Sequence, residues 1–370
     1  MHLSQLTLVN FKNYPSIEVD FGEHMNCFIG NNGVGKTNIL DAIHYLSFCK
    51  SCFNLSDTQN ILHGNDFFAI HGKYIPNSNE DRTDVISCIY KSSAGKNILF
   101  NKKKYQRYAE HIGKIPLVII SPYDQELINE GSDIRRKFLD GIISQTDKNY
   151  LDALINYQKV LDQRNKLLKD FSDNRYFDEA SLNIWDEQLV RFGTPIFEKR
   201  TSFLQNFSSL FAEFYNQISS STEKVSVKYE SHLNDCNFEE QLALNRTKDL
   251  HLQYTCVGIH KDDLVFKIDD YPIKRIGSQG QQKSFSLALK LANFEYIKQH
   301  TGLKPLLLLD DIFDKLDNDR VKKIISLVCS ERFGQVFLTD TQHDRIQKLF
   351  EQTDIPHKIF KVEENQLTQI

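Results

Sequence analysis

The chain has no apolar run approaching the ~20 residues that a membrane-spanning helix requires. Its first residues, Met-His-Leu-Ser-Gln-Leu, lack a basic segment followed by an apolar core, so a secretory leader is not expected. A disulfide framework is missing too, because the seven cysteines are odd in number and irregularly spaced. Cys49 and Cys52 form a lone C-x-x-C with no second pair at zinc-ligand spacing. Their plain reading is free thiols in a reducing cytosol, and a cytoplasmic protein is expected. Nor is there a global basic field. The net charge is −4, so any nucleic-acid contact has to come from local patches. No groove-reading motif is present, which would direct such contacts to phosphate. The remainder is ordinary soluble-globular composition, 40% hydrophobic and 25% charged. At 370 residues the chain accommodates two compact units or one unit with a large insertion.

What is present is a complete phosphate-binding loop, Gly30-Asn31-Asn32-Gly33-Val34-Gly35-Lys36-Thr37. Its glycines let the backbone curl so that N–H groups face phosphate oxygens, and the helix that comes next adds its positive N-terminal dipole. In that frame Lys36 would neutralise the β- and γ-phosphates of ATP, and the Thr37 hydroxyl would ligate Mg2+. An apolar stretch at 25–29 and helical spacing over 38–48 supply the strand, loop and helix the motif needs. The acidic counterpart arrives only near the other end. Leu306 to Leu309 is a four-leucine run suited to a central strand buried on both faces, and it ends in Asp310 and Asp311. Two carboxylates there are costly unless they meet a cation. Asp310 is the expected Mg2+ partner, and Asp311 is placed to orient or deprotonate an attacking water. Lys36, Asp310 and Asp311 are therefore the candidate catalytic residues. Just ahead stands Ser278-Gln279-Gly280-Gln281-Gln282, before a helix expected at 283–299. It reads either as an anion-ready helix N-terminus or as a polar turn that caps a helix. A chain that already owns a P-loop would use such a sensor on nucleotide held by a second molecule.

Along the chain, segments 3–9 and 16–21 alternate with period two around Asn13-Tyr14-Pro15 and read as a hairpin. Further strands are expected at 67–75, 84–91 and 97–100. From about 123 to 219 the pattern is helical. Leu154, Leu161 and Leu168 recur every seven residues with Tyr157 and Phe171 alongside, and Arg164 interrupts them. That is a short helix-pairing seam. A second stripe runs from Trp185 through Ile196 to Ile218, where Pro195 is expected to kink or break the helix. Strand signals return at 225–230, 254–258 and 264–268, followed by alternating βα units with strands at 306–309 and 335–339. The expected fold is α/β with three parts: 1–122 as a lobe with the P-loop, 123–222 as a helical arm, and 223–370 as a second lobe. Two basic patches stand out. Lys102, Lys103 and Lys104 with Tyr105 and Arg107 read as phosphate contacts to a nucleic acid or as a solvated hairpin tip. Arg135 and Arg136 read as further phosphate contacts or as partners of acidic neighbours.

The P-loop, the serine–glutamine loop and the Asp-Asp strand together resemble the two-lobed heads of the ABC and SMC class of ATPases, here with an inserted helical arm. The resemblance gives Ser278 to Gln282 the signature role toward a partner's ATP, and Asp317 the D-loop role across the same interface. Further stretches are similar to the RecF family of bacterial DNA replication and repair ATPases: Leu8 to Tyr14, Lys50-Ser51-Cys52-Phe53, Ser121-Pro122-Tyr123-Asp124, Arg135 to Asp140, Gln163-Arg164-Asn165 and Gly258 to Leu264. Asn54, Ile259 and Lys261 depart from the family pattern, and no histidine directly follows the strand that ends near Thr339; His343 stands farther on. The resemblance implies ATP and Mg2+ as cofactors, an ATP-dependent homodimer, and binding to double-stranded DNA and to single-strand/double-strand gap junctions. It further implies slow DNA-stimulated ATP hydrolysis, RecO and RecR as partners in loading recombinase, a place in the SOS response, and a nucleoid-associated location. Two other readings fit the same motifs, an ABC motor for a membrane partner and a non-hydrolysing DNA clamp held by ATP.

Overall fold

A computed structural model of the chain describes residues 1–54, 56–76, 82–219, 223–313, 318–342 and 355–370. Asp317 and His343 lie outside the described residues. The chain divides into two compact units, one of residues 1–124, 217–220 and 283–370, the other of residues 125–216 and 221–282.

In the first unit, β1 (His2–Phe11) and β2 (Tyr14–Asp20) form an antiparallel hairpin. Leu6 and Leu8 are buried two residues apart, and a register irregularity between Leu3 and Gln5 lets Leu3 be buried as well. Next, β3 (Met25–Ile29) runs into the glycine loop and α1 (Lys36–Phe48). The strands β4 (Phe67–Ile75), β5 (Asp84–Lys91), β6 (Gly95–Phe100) and β7 (Lys103–Lys104) complete a six-stranded antiparallel sheet in the order β2-β1-β4-β5-β6-β7. Then β8 (Leu117–Ile120), buried throughout, ends this part of the unit.

The second unit holds α2 (Glu126–Asn129), α3 (Ser132–Thr146), α4 (Lys148–Asn174), most of α5 (Glu179–Ser219), α6 (Phe238–Leu252) and α7 (Ile273–Ile276), with a small sheet of β9 (Val225–Glu230), β10 (Asp263–Ile268) and β11 (Tyr271–Pro272). Residues 223–282, expected with the second lobe, thus group with the helices. The reason is a set of buried charges. Arg200 on α5 donates to Asp262 Oδ2 (2.9 Å) and to Asp140 Oδ1 on α3 (2.8 Å), and Asp262 sits at the head of β10. Arg164 reads as an interruption of the heptad seam, yet it anchors that seam. It is fully buried and donates to Asp186 Oδ1 (2.6 Å), Asp249 Oδ2 (2.7 Å) and Thr255 Oγ1 (2.8 Å). The expected strand at 254–258 is a loop, because Thr255 turns its hydroxyl and amide to Asn165 and its carbonyl to His260. Pro195 does not break α5, which continues through it. A proline removes one N–H rung, and the turn around it is held by fully buried Ile196 and by Phe238, which packs where a Gly193 side chain would stand.

The chain then returns through α8 (Gln279–Thr301), β12 (Leu306–Leu309), α9 (Asn318–Val328), β13 (Val336–Asp340), β14 (His357–Glu363) and β15 (Gln366–Gln369). These build the second six-stranded sheet, in the order β15-β14-β3-β13-β12-β8, with every pairing parallel except β14–β15. Phe21, Phe28, Phe337 and Phe360 pack ring to ring on its core. In that order β13 lies between β3, which carries the glycine loop, and β12, which carries the two aspartates. Among the described residues no helix is long and apolar enough to cross a membrane.

Candidate nucleotide site

Three adjacent parallel strands end on one edge, and the residues just past their carboxyl ends make the site, where ligands of open α/β sheets bind. From the β3 end comes the glycine loop. Gly35 has φ 107°, and a Cβ there would lie 2.3 Å from Asn13 Nδ2 and 2.8 Å from the Tyr14 hydroxyl. Gly30 faces the Val362 carbonyl, 2.5 Å from where its Cβ would be. Both positions therefore exclude side chains. Behind the loop α1 starts with no acidic residue in its first turn and no side-chain cap, leaving its dipole and amides for an anion. Lys36 is almost wholly buried, and its Nζ donates to the carbonyls of Gly30 (2.8 Å) and Asn31 (2.9 Å). Asn31, Asn32 and Gly33 form the exposed lip, and Val34 packs against the core.

The acidic strand meets this loop directly. Thr37 Oγ1 donates to Asp310 Oδ1 (2.9 Å) and Oδ2 (3.0 Å), across a sequence separation of 273 residues. Burial raises the Asp310 carboxyl above the usual carboxylate range; hydrogen bonds from Thr339 and Thr37 oppose that, Asp311 adds to it, and Lys36 opposes it. Asp311 adopts the left-handed φ of 44°, a conformation that costs a non-glycine residue on the order of 1–3 kcal/mol and recurs at functional sites. A glycine cradle backed by a helix N-terminus suits a polyphosphate. A hydroxyl beside one carboxylate suits a hard cation that keeps phosphate and water as its other ligands.

Three residues at the site carry no sequence signal for it. Asn13 reads as part of a hairpin turn, but its Nδ2 donates to the Val34 carbonyl (3.1 Å) and its Oδ1 accepts from Asn38 (2.6 Å). The neighbouring Tyr14 hydroxyl donates to the Gly35 carbonyl (3.1 Å). Thr339, which the spacing places at the end of its strand, is inside β13 and fully buried, paired with Phe28. Its hydroxyl donates to Asp310 Oδ1 (2.8 Å) and accepts the Asp311 amide (2.9 Å). No local motif marks Thr339; only the strand order does.

The other candidates are not members of this cluster. In the second unit Ser278 and Gln281 form a reciprocal capping box at the start of α8. Ser278 Oγ accepts the Gln281 amide (3.2 Å) and Gln281 Oε1 accepts the Ser278 amide (2.7 Å). Gln281 also donates to Glu223 (2.7 Å), Gln282 to the Gly277 carbonyl (3.0 Å), and Ser278 and Gln279 remain at the surface. Lys102, Lys103 and Lys104 are exposed on the β6–β7 hairpin, whose turn is made by Asn101 (φ 48°) and Lys102 (φ 67°), and Arg107 is exposed nearby. Both arginines are half-buried and hydrogen-bonded within their own unit. Arg135 forms a two-pronged pair with Asp263 (2.6 and 2.9 Å), and Arg136 donates to the Asp262 carbonyl and Ser132 (2.7 Å each). The 258–264 stretch is likewise an internal hub, and Lys261 caps the ring of Tyr254 at 5.0 Å.

Residues 2–368 match the family model described as RecF/RecN/SMC N terminal domain. A Flavobacterium johnsoniae protein named DNA replication and repair protein RecF is 51% identical over 98% of this chain and 100% of its own length. The chain belongs to the RecF family. A RecF of Phocaeicola vulgatus, carrying the same name, is 46% identical over 100% of this chain and 98% of its own. Among solved structures, one described as the recombination mediator protein RecF-ATP in the RecFOR pathway superposes with a TM-score of 0.88 at 31% identity, covering 100% of this chain and 97% of that one. An Smc head domain from Pyrococcus furiosus superposes with a TM-score of 0.59 at 17% identity, covering 100% of this chain and 96% of that one. It shares with the RecF family the α/β head fold.

Proposed function

We propose that this protein is an ATP-dependent DNA-binding ATPase of recombinational repair and replication maintenance, working in the cytoplasm as a homodimer that ATP closes. The observation that carries the reading is the Thr37 hydroxyl on the Asp310 carboxylate, which unites a phosphate loop with its acidic partner from the far end of the chain. The RecF relatives and the RecF-ATP structure support it.

In this reading the amides of residues 30–37 hold the ATP phosphates, and Lys36 turns from its loop carbonyls to the β- and γ-phosphates. Thr37 and Asp310 hold Mg2+, which when bound neutralises charge on the phosphates. Asp311 orients the attacking water and accepts its proton. The Ser278–Gln282 loop and Asp317 reach the γ-phosphate side of a partner's ATP, so hydrolysis removes the bridge between heads. Coupling then arises because ATP has a higher affinity for the closed dimer than for separate heads. Lys102, Lys103, Lys104 and Arg107 contact DNA phosphates, DNA stimulates a slow turnover, and RecO and RecR are the partners.

Sedimentation with ATP, with ADP and without nucleotide, each with and without gapped DNA, tests the reading. A dimer forming on DNA with ATP alone, and lost in Lys36→Arg, is the expected result. Equal sedimentation in all conditions would overturn it.

A further inference from the structure

We infer that Thr339 is a positioning residue for the hydrolytic centre, a single buried hydroxyl that sets the carboxylate of Asp310 and the backbone of Asp311 at once. This rests on the ATPase reading above and adds a residue to it. Thr339 belongs to β13, the strand between the one carrying the glycine loop and the one carrying the aspartates. Leu338 pairs with Leu309, which brings the next residue along each segment, Thr339 inside β13 and Asp310 just past β12, side by side. The hydroxyl has one proton, and it goes to Asp310 Oδ1 at 2.8 Å; its lone pair takes the Asp311 amide at 2.9 Å. Two hydroxyls thus hold Asp310, and they are not equivalent. That of Thr37 is the one the Mg2+ role would draw on, while that of Thr339 is fully buried and has no other task there. The Asp311 amide it accepts belongs to the residue with left-handed φ, so losing the hydroxyl frees the backbone turn that aims the Asp311 side chain.

The test compares Thr339→Val, which keeps the shape and removes the hydroxyl, with Thr339→Ser, which keeps the hydroxyl. A fluorescent ATP analogue is titrated with EDTA and across a Mg2+ series, alongside steady-state ATPase and urea unfolding. Thr339→Val is expected to bind the analogue in EDTA like the wild type and to need roughly tenfold more Mg2+ for half-maximal binding. Its kcat should fall at least tenfold with KM changed less than threefold, the mark of an interaction that acts on the chemical step. Thr339→Ser should restore most of both. Wild-type Mg2+ response and kcat in Thr339→Val would overturn the assignment. So would equal losses in Val and Ser variants that track their unfolding midpoints, because the role would then be structural. A wild-type protein that binds no nucleotide would instead sink the ATPase reading itself, and this inference with it.

Discussion

Both compact units bury charged side chains, and the company these keep at the nucleotide site differs from that in the helical unit. In the first unit the Lys36 ammonium rests on two carbonyls of its own loop, and Asp310 accepts hydroxyl protons from Thr37 and Thr339. Carbonyls and hydroxyls are neutral, so a phosphate or a cation can displace them without leaving a charge alone in a low dielectric. In the second unit Arg164 meets the carboxylates of Asp186 and Asp249, and Arg200 those of Asp140 and Asp262, with both guanidinium groups almost fully buried. Removing either arginine leaves buried carboxylates without the cation they share. The first arrangement is built for exchange and the second for permanence. Burial of charge alone does not separate a functional site from a structural one; the exchangeability of its partners does.

The largest effect should come from breaking the permanent set. Arg164→Ala is expected to cost about 3–5 kcal/mol in urea denaturation, because Asp186 and Asp249 lose their shared cation. Lys36→Ala leaves no ion-paired carboxylate behind and should cost no more than about 1 kcal/mol while abolishing tight nucleotide binding. Equal destabilisation by the two substitutions would erase the distinction.

The two sets are unequally legible in the sequence. The glycine loop and the Leu-Leu-Leu-Leu-Asp-Asp run are local patterns whose residue types already state their geometry, so their strands and the α1 helix are expected from the residues alone. Partner choice across long separations is not. Arg164 looks like a fault in a heptad because a period-seven count cannot see Asp249 on α6, 85 residues on. Arg135 stays divided between DNA and acidic partners because Asp263 lies 128 residues away. Thr339 is hidden for a third reason: strand order in a parallel sheet is a property of the whole chain, and nothing in the sequence puts β13 between β3 and β12. The strands β14 and β15 carry too many polar side chains to announce themselves, and the apolar spacing of 254–258 imitates a strand although its backbone bonds go to side chains.

A middle-sized effect separates the units by acid. His260 in the helical unit is held neutral, its Nδ1 beside the Tyr157 hydroxyl (2.8 Å) and its Nε2 beside the Thr255 carbonyl (3.0 Å). Burial pushes it down to about 4; the bond to Thr255 opposes this, while Lys261, Arg136 and Arg164 add to it. The unfolded imidazole takes up its proton near the ordinary value of about 6.5. Between those values the unfolded chain binds more protons than the folded one, so this contribution is complete above about pH 6.5 and is lost as the pH falls toward 4. The full loss, over about 2.5 pH units, is on the order of 3 kcal/mol. His44, beside the Lys50 carbonyl in the first unit, is pushed down to about 4 by the same burial, so His260→Gln should remove only part of the acid sensitivity. Urea midpoints at pH 7 and pH 5 check this: a slope unchanged by His260→Gln would remove His260 from the acid response.

The smallest effect on stability, and the sharpest on the partner, should come from the exposed lysines. Lys102, Lys103 and Lys104 ride on a two-residue left-handed turn at the edge of the antiparallel sheet, all exposed. Replacing the three with alanine should change stability by no more than about 0.5 kcal/mol per site, the usual range for surface substitutions. If these ammonium groups neutralise DNA phosphates, affinity should fall for every DNA sequence alike, and the slope of log affinity against log salt should flatten by about 0.9 for each phosphate no longer neutralised. Arg135→Ala should do the reverse. It frees Asp263 from a partly exposed pair at a cost on the order of 1 kcal/mol and leaves the salt slope where it was, since that guanidinium is already held inside the unit. A salt slope that responds to Arg135→Ala and ignores the lysines would exchange the two assignments. Charge on this surface would then matter through the arginine, and the hairpin tip would be no more than a solvated turn.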